Sequence, residues 1–347
     1  MPFEPPADPR HARRNTIWRW VSFTMALAVV LLVVYLGWGG NVGSQLFGAN
    51  DRAGDCRTPT SAFGWTYEAI NYPIGSDEAL ASFADRRHCR NQGAAAGDAL
   101  KDADGTRLAG WYIPSGRQAG PTAPTVVLAH REGADKSAML DWAALLHADY
   151  NLVLFDFRNH GQSSGDATTM GVREAGDLRT VVDWLAASKQ PTWVALLGVS
   201  MGGAAAINEA AGDTRINAVI LDSTHSTLAN ALQARLDRDG YPLSLPGAWS
   251  ILLGGLLRTG EDMSAADPVQ AIARYRDRPL LIITAGNDRA IGSNDANDLL
   301  AAARQNGSGS ELDTCAPAGH AESITACPSE YSGWVRSFLG RTLQHPS

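Results

Sequence analysis

The run Gly198-Val199-Ser200-Met201-Gly202 constrains this chain more than any other feature. It follows an apolar stretch, Trp193 to Leu197, and precedes a small-residue stretch, Ala204 to Ala211. The pattern predicts strand, sharp turn and helix, the context in which the serine of a G-x-S-x-G turn is held strained with its hydroxyl exposed. Glycines two before and two after the serine let strand and helix pass close together. A bare G-x-S-x-G arises often by chance, so the weight rests on its company. An acid and a histidine follow in order, each after its own predicted strand.

At 347 residues with 45% hydrophobic content, the chain can bury one large core. Its net charge of −7 gives no electrostatic footprint for nucleic acid, and there is no basic stripe. No phosphate-cradling glycine loop or zinc-ligand spacing is present, so neither a cofactor nor a metal is expected.

Near the N-terminus, no Asp, Glu, Lys or Arg occurs from Trp20 to Asn50, and Val21 to Leu36 is almost wholly apolar between Trp18, Trp20 and Trp38. Counted from Ile17, this is roughly the twenty residues that cross a bilayer core, with tryptophans at headgroup level. Arg10, Arg13, Arg14 and Arg19 precede it against only Glu4 and Asp8, which predicts a cytoplasmic N-terminus and an extracytoplasmic main domain. A cleaved signal peptide fits less well, because Phe47-Gly48-Ala49 is a poor cleavage site. The expected organisation is a basic tail (1–16), a transmembrane anchor (17–38), a Gly-rich linker (39–60) and one domain (61–344).

The four cysteines, Cys56, Cys89, Cys315 and Cys327, all fall on the outer side of the expected anchor. An even count there suggests disulfides, and four cysteines allow three connectivities. The local pairing, Cys56 with Cys89 and Cys315 with Cys327, is the one expected.

Ser61 to Ile74 and Thr106 to Ile113 read as edge strands. Strands then alternate with helices: strands at Thr125 to Ala129, Leu152 to Phe157, Trp193 to Val199, Ala218 to Leu221, Leu280 to Thr284 and near Leu312; helices at Lys136 to His147, Val172 to Ala187, Asp295 to Arg304 and Tyr331 to Leu343. Short apolar strands alternating with helices indicate an α/β fold, a mostly parallel sheet covered on both faces. Between residues 223 and 278 the alternation lapses into an amphipathic run (Leu228 to Leu236), a Pro-broken stretch and an apolar run (Ala248 to Leu257). This reads as a small helical cap over the serine. The apolar run is expected to pack on the domain, ahead of lining an acyl pocket or dipping into a membrane surface.

Five local matches in order make the chain resemble the α/β-hydrolase superfamily over about residues 61–343. They are Val126-Val127-Leu128-Ala129-His130 with Gly133; Asp156-Phe157-Arg158-Asn159-His160-Gly161-Gln162-Ser163-Ser164-Gly165; the serine turn; Ala285-Gly286-Asn287-Asp288; and Ala318-Gly319-His320. The nearest flavour is the serine-aminopeptidase-like and prolyl-oligopeptidase-like branch. The resemblance implies Ser200 as nucleophile, His320 as its base and Asp288 as the acid fixing the imidazole. Asp222, just after the preceding strand, is the serious competitor for the acid, and Asp295 a weaker one. Of the eight histidines, His320 alone falls in the loop directly after the last strand, His345 lying two residues from the end. Oxyanion donors are expected from the N–H of Met201 and that of Glu132, or less readily Arg131, which stands where the family usually has glycine.

The activity implied is that of a membrane-anchored carboxylesterase- or lipase-like serine hydrolase, acting on a small acyl ester, thioester or lipid-like substrate. A serine peptidase and an inactive anchored binding module are the alternatives.

Overall fold

A computed structural model describes residues 9–48, 57–70, 100–101, 104–117, 120–292, 294–305, 307 and 309–344. Among the described residues, nine strands form one sheet: β1 (Glu68–Ile70), β2 (Leu100–Lys101), β3 (Arg107–Ile113), β4 (Thr125–Ala129), β5 (Asn151–Asp156), β6 (Val194–Val199), β7 (Ala218–Asp222), β8 (Leu280–Ala285) and β9 (Ser310–Cys315). The order is β1-β3-β5-β4-β6-β7-β8-β9, with β2 paired to β3. From β5 to β9 every pairing is parallel, and β3 joins antiparallel.

The helices are α1 (Pro9–Leu46), α2 (Pro59–Phe63), α3 (Leu140–Leu146), α4 (Val172–Ser188), α5 (Met201–Ala210), α6 (Leu228–Arg238), α7 (Ser244–Thr259), α8 (Pro268–Arg274), α9 (Asp295–Gln305), α10 (Ser323–Ala326) and α11 (Pro328–Gln344). Strand alternation sends Val127, Val153, Leu196 and Val219 to one face, against α4, α5, α8 and α9. Val126, Leu152, Leu197 and Ile220 point to the other, against α3 and α11. Both faces being covered is why these strands read as unbroken apolar runs.

Three local expectations need correction. Ser61 to Ile74 is not one strand, because Thr58 caps a helix there: its Oγ1 accepts from the Ser61 N–H at 3.0 Å and Pro59 sits in the first turn, so α2 forms and β1 starts only at Glu68. Residues 71–74 lie outside the described residues. Strand β3 is not an edge, since it is paired with both β1 and β5. Lys136 to His147 opens with a 3-10 turn, Lys136–Met139, whose Ser137 N–H is capped by Asp135, before α3 begins.

The glycines after Gly37 do not make a linker up to Leu46. Helix α1 continues through them and packs along α7, and their missing side chains permit it. A Cβ at Gly39 would collide with Ser250, one at Gly43 with the Ile251 carbonyl, and one at Gly254 with Gly40. Tyr35 Oη donates to the Pro242 carbonyl at 2.5 Å, Ser250 Oγ to the Leu36 carbonyl at 2.7 Å, and Trp38 stacks on Tyr241. Within Trp18–Leu46 an 18-residue window reaches a mean hydropathy of 2.2, so this stretch is long and apolar enough to cross a membrane by length and composition. Helix α7 buries Ala248, Ile251 and Leu252 against α1, α6 and Phe47, and leaves Trp249, Leu253, Leu256 and Leu257 exposed.

Candidate active site

The turn between β6 and α5 carries the nucleophile. Ser200 has φ 55° and ψ −116°, a strained conformation held by its N–H donating to the Asp222 carbonyl at 2.8 Å. Both flanking glycines are sterically required: a Cβ at Gly198 would strike the Gly202 carbonyl, and one at Gly202 the Ala129 carbonyl.

His320 Nε2 lies 2.8 Å from Ser200 Oγ, and His320 Nδ1 lies 2.8 Å from Asp288 Oδ2. A carboxylate only accepts, so Nδ1 carries the proton and Nε2 is left to accept from the serine. The other Asp288 oxygen accepts from the N–H groups of Ala290 and Ile291 at 2.8 and 3.2 Å, which fixes the carboxylate without spending it. Ser200, His320 and Asp288 therefore form a relay in which a hydroxyl proton has a place to go. A disulfide between Cys315 and Cys327, at a sequence separation of 12, closes the segment that carries His320. Such a loop closure is worth about 3 kcal/mol. Cys56 and Cys89 lie outside the described residues.

The competing acids are occupied elsewhere. Asp295 accepts from Ser226 N and Oγ and from Gly292 N. Asp222 is fully buried and accepts from Tyr331 Oη at 2.8 Å and Ser223 Oγ at 2.9 Å. Trp142 Nε1 donates to Tyr331 Oη, and Ser223 Oγ accepts from the N–H of Ala321, next to His320. Asp222 thus braces the histidine loop from behind. Nothing in the sequence pattern marks Tyr331, which reaches Asp222 across 109 residues.

Burial pushes the Asp222 carboxyl up to about 6, opposed by the Tyr331 and Ser223 hydrogen bonds. Below about pH 4 folded and unfolded chains both hold this proton; between about 4 and 6 only the folded chain does. Raising the pH through that window should therefore cost about 3 kcal/mol of stability, and above it the penalty is constant. Asp222→Asn is expected to remove this slope. Urea denaturation of wild type and variant from pH 4 to 7 checks it, and parallel pH profiles would refute it.

The loop after β4 is held by two neutral imidazoles. His130 Nδ1 donates to the Arg131 carbonyl at 2.8 Å while Nε2 accepts from the Phe157 N–H at 3.0 Å. Burial drives the His130 pKa down to about 3. His160 Nε2 accepts from the Gly133 N–H at 3.2 Å, and its Nδ1 donates to the Arg158 carbonyl. Arg131 and Glu132 sit on the loop so pinned, and Met201, the first residue of α5, has a first-turn N–H with no intrahelical acceptor.

Beside His320 is an open cavity of about 430 Å³, bounded by Arg235 and Arg238 at the end of α6 and by Asn287 and Arg289 after β8. Nothing in the chain's pattern marks these arginines, because the end of α6 comes beside the histidine loop only in the fold.

A strained serine at a strand–helix turn, hydrogen-bonded to a histidine that is itself held by a carboxylate, defines a serine hydrolase. The chain belongs to the alpha/beta hydrolase family, whose sequence pattern matches residues 126–332. It is 30% identical to the uncharacterized protein YfhR of Salmonella typhi over 220 residues, covering 58% of this chain and 67% of that one. It is 32% identical to YfhR of Escherichia coli K12 over 146 residues, 40% of this chain and 51% of that protein's length. Among solved structures, an esterase of Pyrococcus furiosus superposes with a TM-score of 0.65 at 21% identity, covering 85% of this chain and 98% of that one. An enol-lactonase of Burkholderia xenovorans gives a TM-score of 0.51 at 20% identity, covering 70% and 99%. At these identities the two structures speak for the fold.

Proposed function

We propose that the chain is a membrane-anchored esterase that hydrolyses carboxylic esters or thioesters through an acyl-enzyme on Ser200. The relay from Ser200 through His320 to Asp288 carries this reading. Ser200 Oγ attacks the acyl carbon as its proton passes to His320 Nε2; the C–O or C–S bond then breaks and the leaving group departs with that proton. Water, deprotonated by the same nitrogen, releases the acid and restores the serine. The oxyanion is received by the N–H of Met201 and that of Glu132, with Arg131 the less favoured second donor. That the Pyrococcus and Burkholderia proteins are described as an esterase and an enol-lactonase favours esters over peptides.

In this reading residues 17–38 anchor the chain, residues 1–16 are cytoplasmic, and the hydrolase domain with its cap (about 223–278) is extracytoplasmic. The Cys315–Cys327 bond supports an oxidising compartment. The docking of α1 on α7 supports a domain held against the bilayer, with the exposed apolar side of α7 beside the anchor. A panel of p-nitrophenyl acyl esters against aminoacyl anilides tests the reaction class. Turnover of esters alone is expected, whereas efficient anilide cleavage would give the site to a peptidase of the aminopeptidase-like branch.

A further inference from the structure

We infer that the ester this hydrolase prefers is one whose alcohol part carries a phosphate, bound by arginines in the cavity beside His320. The inference rests on the esterase reading and names its substrate class.

The chain as a whole is acidic, at net charge −7, yet three of the residues bounding this cavity are arginines. Among the described residues, Asp239 is the one acidic side chain that lines it with them, and that carboxylate lies 4.0 Å from Arg235. Among the described residues, no carboxylate lies within 4.0 Å of the guanidinium groups of Arg238 or Arg289. Arginine does not lose its proton in proteins, so Arg238 and Arg289 present cations to this space at every working pH. They come from different elements, α6 and the turn after β8, and converge only in the folded chain. Arg235 and Arg289 are exposed and Arg238 is half-buried, so the cluster is open to an incoming ligand, and a phosphate of charge about −1.5 to −2 supplies the matching anion with oxygens suited to guanidinium forks. The cavity volume of about 430 Å³ is in the range of small-molecule sites.

The cavity's position assigns the anion to the alcohol half. His320 is part of its wall, and His320 Nε2 is the atom that must hand a proton to the departing oxygen. The leaving alcohol therefore passes the histidine at the cavity side, whereas the acyl carbon stays on Ser200, which is not part of the lining.

The test uses the full chain in neutral detergent micelles and three soluble esters: 1-butyrylglycerol 3-phosphate, neutral 1-butyrylglycerol, and 1-succinylglycerol with its anion on the acyl side. The phosphate ester is expected to have a kcat/KM roughly tenfold or more above the neutral one at low salt, a ratio that shrinks in high salt. Arg238→Gln and Arg289→Gln should each reduce that ratio roughly tenfold, mainly through KM, and Arg238→Lys should restore part of it. A ratio near one that neither substitution moves overturns the inference, as does preference for the succinyl ester. If none of the three esters is turned over, the esterase reading falls and takes this inference with it.

Discussion

Asp288→Asn is expected to lower kcat about 10⁴-fold on any ester the enzyme accepts, with little change in KM. An amide in place of the carboxylate can present its NH₂ to His320 Nδ1, and the imidazole then settles into the tautomer that carries its proton on Nε2, facing Ser200. That nitrogen can no longer take the serine proton. The backbone N–H groups of Ala290 and Ile291 still have the amide oxygen to hold, so the side chain stays in place and the loss is chemical rather than structural. Asp222→Asn, by contrast, leaves the His320–Asp288 contact intact and should retain most of the turnover. Its oxygens serve Tyr331 and Ser223, and its effect belongs to stability and its pH dependence. Steady-state kinetics of the two variants side by side check the assignment. Near-wild-type turnover in Asp288→Asn with inactivity in Asp222→Asn would reverse it.

Lys136→Met should cost about 3–5 kcal/mol of folding stability, the largest effect expected of a substitution outside the triad. The Lys136 side chain is 1% exposed, and its ammonium sits 2.6 Å from Asp156 Oδ2, whose own side chain is fully buried. Gln162 Oε1 accepts from the same ammonium at 2.9 Å, and Asp156 also accepts from the N–H groups of Lys136 and Gln162. Burial alone would raise the Asp156 carboxyl, but the Lys136 ammonium and the Gln162 N–H reverse this and hold it below its ordinary value. Removing the lysine leaves a fully buried carboxylate without its ammonium partner. The loss should also reach activity, because the turn from Asp156 to Gly165 carries His160, which steadies the loop of Arg131 and Glu132 through Gly133. Chemical denaturation of the full chain in detergent measures the effect, and a change below 1 kcal/mol would show that the pair is not the clamp its burial suggests.

The core strands and the triad were legible because their signals are local. Each strand from β4 to β8 is a short apolar run that must lie between two covered faces, and Ser200, Asp288 and His320 each follow their own strand within a few residues. The steric demand at Gly198 and Gly202 is written in the motif itself. What was illegible depends on partners far away in the chain. The glycines at 39, 40 and 43 read as flexible until α7 lies against them, when they become the positions where the two helices touch. Ser61 to Ile74 has a strand-like composition, but the Thr58–Pro59 cap overrides it. Neither Tyr331 nor the arginine-lined cavity could be read from spacing, since each exists only once remote elements have packed.

Labelling of the full chain by a fluorophosphonate probe, wild type against Ser200→Ala, tests the central claim most directly. The account predicts covalent labelling of the wild type and none of the variant, with matching circular dichroism for both. Equal labelling of Ser200→Ala, or a folded wild type that stays unlabelled, would contradict an activated serine at this turn.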